Sequence, residues 1–134
     1  MMHRVQRYFQ VTGRGLLGLA YFVSGLRIIP EWDQTAALLA DKGLPAVPHL
    51  LGIAAVVLLV GGLSVIVGYR TRWGALALAA FTVVAMVVFH DFWNMVGGER
   101  HDHLMMFLAN VGLLGGLLIV AGFGPGSFSI DRSH

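Results

Sequence analysis

The sequence predicts an all-α integral membrane protein: a four-helix antiparallel bundle, one domain over residues 1–134, with both termini cytoplasmic. Three observations carry this. The chain is 57% hydrophobic and only 12% charged, against about 25% charged in soluble domains, so its polar groups cannot cover its apolar surface and lipid is the solvent that suits it. Four apolar runs of 17–21 residues fall at about 13–29, 49–69, 73–92 and 103–122, each matching the ~20 residues that cross a hydrocarbon core of ~30 Å. The charges then alternate between the two ends of those runs, basic at one and mixed at the other.

Residues 1–12 are polar and basic, with Arg4 and Arg7, and Val5, Tyr8 and Phe9 make them an amphipathic lead-in for the membrane surface. The first span, about 13–29, places Tyr21, Ser24 and Arg27 at i, i+3, i+6 on one helical face, which should point into the bundle. A basic start before an apolar core also fits a signal peptide, but no small-x-small cleavage signal and mature soluble domain follow, so the span is read as uncleaved. Pro30 ends it. Residues 32–42 read as a short interfacial helix ended by Gly43, with Trp32 at headgroup level. The second span, 49–69, carries no charge, and Gly61, Gly62, Ser64 and Gly68 would allow close helix approach. Arg70-Thr71-Arg72 is a tight connection to the third span, which has Thr82 as its mid-span hydroxyl. The fourth begins near His103 and carries the Gly112–Gly116 pair at Gly-x-x-x-Gly spacing, with Gly115 beside it. The tail from Gly124 is turn-forming and short.

Arg4, Arg7, Arg14, Arg70, Arg72 and Arg132 share one side with the single acid Asp131. The positive-inside rule makes that side cytoplasmic. The scattered arginines are therefore topology determinants, and the net charge of +2 with a pI near 9.5 does not indicate nucleic acid. The chain has no cysteine, which excludes disulfides, thiolate metal sites and an internal thiol relay. Phosphate loops, dinucleotide-binding turns and serine elbows are missing as well. A stand-alone hydrolase or nicotinamide enzyme is not expected.

The antiparallel order brings two connections to the outer, non-cytoplasmic surface. The first supplies Arg27, Glu31, Trp32 and His49; the second supplies His90, Asp91, Trp93, His101 and His103. Together they form a candidate vestibule for a cation, a quinone headgroup or a partner protein. His90, His101 and His103 are candidate metal ligands, and axial histidine would suit haem. The plainer reading is a wet interface, with Asp102 capping the fourth helix and Trp32, Trp73 and Trp93 in an aromatic belt. His101 and His103, at i, i+2, do not share a helical face. Asn110, about 10 Å into the fourth span, should bond across the bundle to Tyr21, Ser24 or Thr82, as structural glue or as a ligand contact.

Gly13-Arg14-Gly15-Leu16-Leu17-Gly18 with Ser24-Gly25-Leu26, Gly61-Gly62-Leu63 leading to Gly68-Tyr69-Arg70-Thr71-Arg72, Phe89-His90-Asp91-Phe92-Trp93, and Met106-Phe107-Leu108-Ala109-Asn110 followed by Gly115-Gly116-Leu117-Leu118 and Gly124-Pro125-Gly126 recur here in order. Together they resemble the DoxX family of small four-span membrane proteins over nearly the whole chain. The resemblance implies an inner-membrane bundle and a place in sulfur-, thiol- or quinone-linked redox systems. Where relatives often carry an acid in span two and a lysine before the asparagine of span four, this chain has Leu58 and Ala109. Two readings of function follow: a non-catalytic membrane subunit or anchor for an oxidoreductase partner, or a carrier for a small lipophilic molecule such as quinone. Self-association through the glycine faces of spans two and four is a further expectation.

Overall fold

The computed structural model describes residues 2–89 and 96–124; His90, Asp91, Phe92 and Trp93 lie outside the described residues. The fold is all-α, with five helices and no strand among the described residues: α1 (Met2–Ile28), α2 (Trp32–Asp41), α3 (Val47–Val67), α4 (Thr71–Phe89) and α5 (Gly97–Phe123). Three of them, α3, α4 and α5, are long and apolar enough to cross a membrane. The first helix is long too, but Arg4, Arg7, Arg14 and Arg27 interrupt its apolar character.

The polar lead-in and first span are not separate pieces, because α1 runs unbroken through Thr12 and Gly13. No proline interrupts these residues, and a glycine costs a helix only about 1 kcal/mol relative to alanine. Around Pro30 the chain turns into α2, whose first carbonyl, that of Glu31, accepts the Thr35 N–H at 3.0 Å. The short helix ends at Gly43, which takes φ +80 and donates its N–H to Ala40 O at 2.9 Å. Pro48 falls in the first turn of α3, where a missing N–H removes no helical bond.

The connection from α3 to α4 lies two residues earlier than Arg70-Thr71-Arg72. It is Gly68-Tyr69-Arg70, and Thr71 already opens α4. Gly68, at φ +77, and Tyr69 both donate their N–H groups to Ser64 O, at 2.9 and 3.1 Å. The Ser64 hydroxyl donates to the Tyr69 carbonyl. Ser64 thus ties the turn as well as keeping the helix surface small. The fourth apolar helix also starts early, at Gly97 instead of near His103. Glu99 to Asp102 are competent helix formers, and helical bonding does not stop where hydrophobicity does. Asp102 is therefore not the cap: Val96 occupies that position, with no side-chain cap bond.

Close contacts fix the arrangement. A Cβ on Gly18 would meet Gly62 O at 2.7 Å, and one on Gly25 would meet Leu58 and Leu59 at 2.9 Å, so α1 and α3 run antiparallel in near backbone contact. Gly61 lies against Leu78, and Gly74 against Ser64, which sets α4 antiparallel to α3. Leu17 reaches Gly116 on α5. Tyr21, Leu58, Val65, Leu78 and Leu117, one or more from each long helix, meet in the shared core. Outward faces stay apolar, with Ile53, Val56, Val60, Val84, Ile119 and Phe123 all exposed, as lipid contact requires.

Candidate functional site

The antiparallel contacts put the starts of α3 and α5 at the end where α1 finishes, so Arg27, Glu31, Trp32, His49, His101 and His103 collect at one end of the helices. Arg27 Nη2 pairs with Glu31 Oε1 at 3.2 Å, an i,i+4 bridge with both side chains well exposed, a kind that adds little stability. Trp32 is half-buried at the start of α2, His49 and His101 are exposed, and His103 is half-buried. Both α5 histidines sit in its second turn, roughly 200° apart at ~3.6 residues per turn. Among the described residues, no three His, Cys, Asp or Glu side chains gather closely enough to hold a metal ion. His90, Asp91 and Trp93 are outside that description.

Deeper in, the structure does bring Tyr21, Ser24, Thr82 and Asn110 together. Tyr21 Oη and Thr82 Oγ1 lie 2.6 Å apart in a buried contact between α1 and α4. Thr82 Oγ1 donates its only proton to Leu78 O at 2.7 Å, so the tyrosine is the donor across the helices. Ser24 Oγ donates to Ala20 O at 2.8 Å. Asn110 does not make the expected cross-bundle bond; its Nδ2 donates to Met106 O of its own helix at 3.0 Å. A carbonyl four residues back is in reach without ordering a second helix. Because α5 starts at Gly97, Asn110 lies about 20 Å along the helix. Tyr21, Ser24 and Asn110, with Leu58, Phe81 and Leu113, line a cavity of about 120 Å³. This is below the ~300–1,000 Å³ of typical organic-ligand pockets.

A larger groove of about 390 Å³ runs between α1 and α5, lined among others by Phe9, Arg14, Leu17, Ile119 and Phe123. Arg14 is only 5% exposed, and its Nη2 donates to Ile66 O in the last turn of α3 at 3.4 Å. A guanidinium there satisfies a terminal carbonyl and faces the negative end of the helix dipole. The sequence reading placed Arg14 among the topology charges and missed this burial. The available signal was Gly18, four residues on and on the same helical face, whose close approach to Gly62 and Ile66 brings the end of α3 beside Arg14.

Residues 9–91, more than half of the chain, match the family described as DoxX. The chain is 31% identical over 115 residues to the inner membrane protein YphA of Escherichia coli, covering 85% of this chain and 81% of the relative. It is 29% identical over 131 residues to the inner membrane protein YqjF of the same organism, covering 98% and 95%. A more distant likeness, 26% identical, joins 97% of the chain to 39% of a Surfeit locus protein 4 homolog of Schizosaccharomyces pombe. No solved structure matches it. With its apolar helices and these relatives, the chain belongs to the DoxX family and is a multi-pass protein of the inner membrane.

Proposed function

We propose that this protein is a non-catalytic membrane subunit or anchor whose four long helices all cross the bilayer, as an antiparallel bundle with cytoplasmic termini. The observation that carries the anchoring reading is the unequal burial of α5. Only 6% of its apolar stretch is buried within the chain, against 28% for α3 and 33% for α4. Among the described residues, a Cβ on Gly112 or Gly115 would meet nothing within 4 Å, leaving a helix surface that a partner's membrane helix can approach closely. An oxidoreductase is the partner class the family resemblance suggests. The missing catalytic motifs are consistent with a supporting role.

The second reading, a carrier for a small lipophilic molecule such as quinone, is favoured by the groove of about 390 Å³, a volume within the usual ligand range of roughly 300–1,000 Å³. Purification from native membranes in mild detergent separates the two. A stoichiometric oxidoreductase supports the anchor, and a single chain carrying quinone supports the carrier. A clean single chain with neither sinks both. Reporter fusions at the two ends should both read cytoplasmic, and an external signal from either would overturn the four-crossing topology.

A further inference from the structure

We infer that the cavity lined by Tyr21, Ser24 and Asn110 is a binding site for a small membrane-soluble phenol, which donates its hydroxyl proton to these side chains. Leu58, Phe81 and Asn110, which also line it, fall near the middle of α3, α4 and α5, the three helices able to cross a membrane. The cavity therefore lies at the depth of the hydrocarbon core, where polar groups left without partners are costly. Among the described residues no charged side chain lines it, so a metal or organic ion would stand there unneutralised. A neutral ligand fits.

The hydrogen bonds already made set the polarity of that ligand. Ser24 and Tyr21 each have one hydroxyl proton, and both are spent, on Ala20 O and on Thr82 Oγ1. Their oxygens keep only accepting capacity. Asn110 gives one amide proton to Met106 O; a carbonyl can receive only Nδ2, which fixes the orientation of the amide and leaves Oδ1 without a donor among the described residues. Three accepting oxygens thus stand against one remaining N–H, a balance that favours a ligand with a proton to donate over a bare ether or carbonyl. Two features favour a ring over a water. The volume of about 120 Å³ is close to the roughly 150 Å³ of an apolar cavity that takes benzene, and Phe81 supplies a ring for aromatic packing. Ala20 and Ser24 are exposed, so the cavity opens sideways, at a depth where a phenol dissolves and water does not. It shares no lining residue with the α1–α5 groove, and either an anchor or a quinone carrier could hold a phenol here.

The test titrates the full chain in lipid nanodiscs with 4-fluorophenol and with 4-fluoroanisole, the same ring without the donor proton, reading bound probe by fluorine NMR and subtracting uptake by empty nanodiscs. One fluorophenol per chain should bind, and fluoroanisole about tenfold more weakly. Asn110→Leu keeps the side-chain size and removes the amide, and should bring the two probes within about twofold of each other. Ser24→Ala, at an exposed position, should weaken fluorophenol by about threefold and leave fluoroanisole unchanged. Gly112→Ala, an open position on the same helix as Asn110, should keep the full preference. Helical content by circular dichroism checks that each variant is folded. Uptake no greater than that of empty nanodiscs would leave the cavity to water and overturn the proposal. So would equal binding of the two probes by the unaltered chain, or a folded Asn110→Leu or Ser24→Ala chain that keeps the tenfold preference. Quinone co-purifying with the chain is read separately, so the carrier reading and the phenol site can fail independently.

Discussion

Replacing Gly62 by alanine should loosen α1 from α3, and the size of the effect follows from the contact. The new Cβ would lie 2.8 Å from both Gly18 O and Phe22 N and 3.1 Å from Phe22 Cα. All three are backbone atoms, so no rotamer change can relieve the clash. Ordinary contact begins at 3.4 Å, and the two helices must therefore part by about 0.6 Å, an overpacking that typically costs 1–3 kcal/mol. The upper end applies here, because the opposing surface is rigid. Alanine returns about 1 kcal/mol of helix propensity, leaving a net loss of about 2 kcal/mol. Gly112→Ala is the matched control: it gains the same propensity and meets nothing within 4 Å. Unfolding by sodium dodecyl sulfate in mixed micelles, followed by circular dichroism, measures the difference. A Gly62→Ala chain as stable as Gly112→Ala would refute the reasoning.

Three further outcomes are expected. A double-mutant cycle of Tyr21→Phe and Thr82→Val should give a coupling of about 0.6 kcal/mol, the average for hydrogen bonds between membrane helices, and no more than about 1.7 kcal/mol; a value near zero in the same micelle assay would dismiss the bond as a stabiliser. Gly112→Leu with Gly115→Leu, both at open positions, should keep the chain folded while removing any self-association or partner capture, read by size-exclusion chromatography with light scattering, and unchanged size and partner yield would make these glycines incidental. Replacing His90 and Asp91 together by alanine should leave folding intact and abolish any cation, quinone or partner binding at the proposed vestibule; a folded double variant that keeps all measured binding removes the vestibule from consideration.

Much of the helical order was legible because punctuation and hydrophobicity agree in this chain. Pro30, Gly43 and Gly68 each fall at a helix end, where a missing donor or a left-handed backbone must go. The errors lie where the two signals part. Apolar periodicity ends at His103, yet α5 continues back to Gly97, and α1 continues back to Met2, because polar residues hydrogen-bond their backbone as well as apolar ones do. Of the candidate site, Tyr21, Ser24 and Asn110 were found from polarity inside apolar runs, and they do line one cavity. Which of them would bond across the helices was not legible, since that depends on rotation about each axis. The glycines show the same limit. Gly61 and Gly62 are used within the chain, while Gly112 and Gly115 are not, although all four read alike as small residues.

The seat of Arg14 has a consequence for the order in which the protein is made. α1 leaves the ribosome first, but the carbonyl that receives its guanidinium belongs to Ile66, and the surface that admits Gly18 belongs to Gly62. Both arrive some fifty residues later, so on the four-crossing reading α1 has no finished place when it is synthesised. A chain halted before α3 should therefore hold α1 shallowly, with Arg14 drawn to the headgroups, and synthesis of the α3–α4 hairpin should pull it to its final depth. Glycosylation-distance mapping on chains stopped after residue 46 and after residue 89 would register the shift; equal depth in both would show that α1 seats itself unaided.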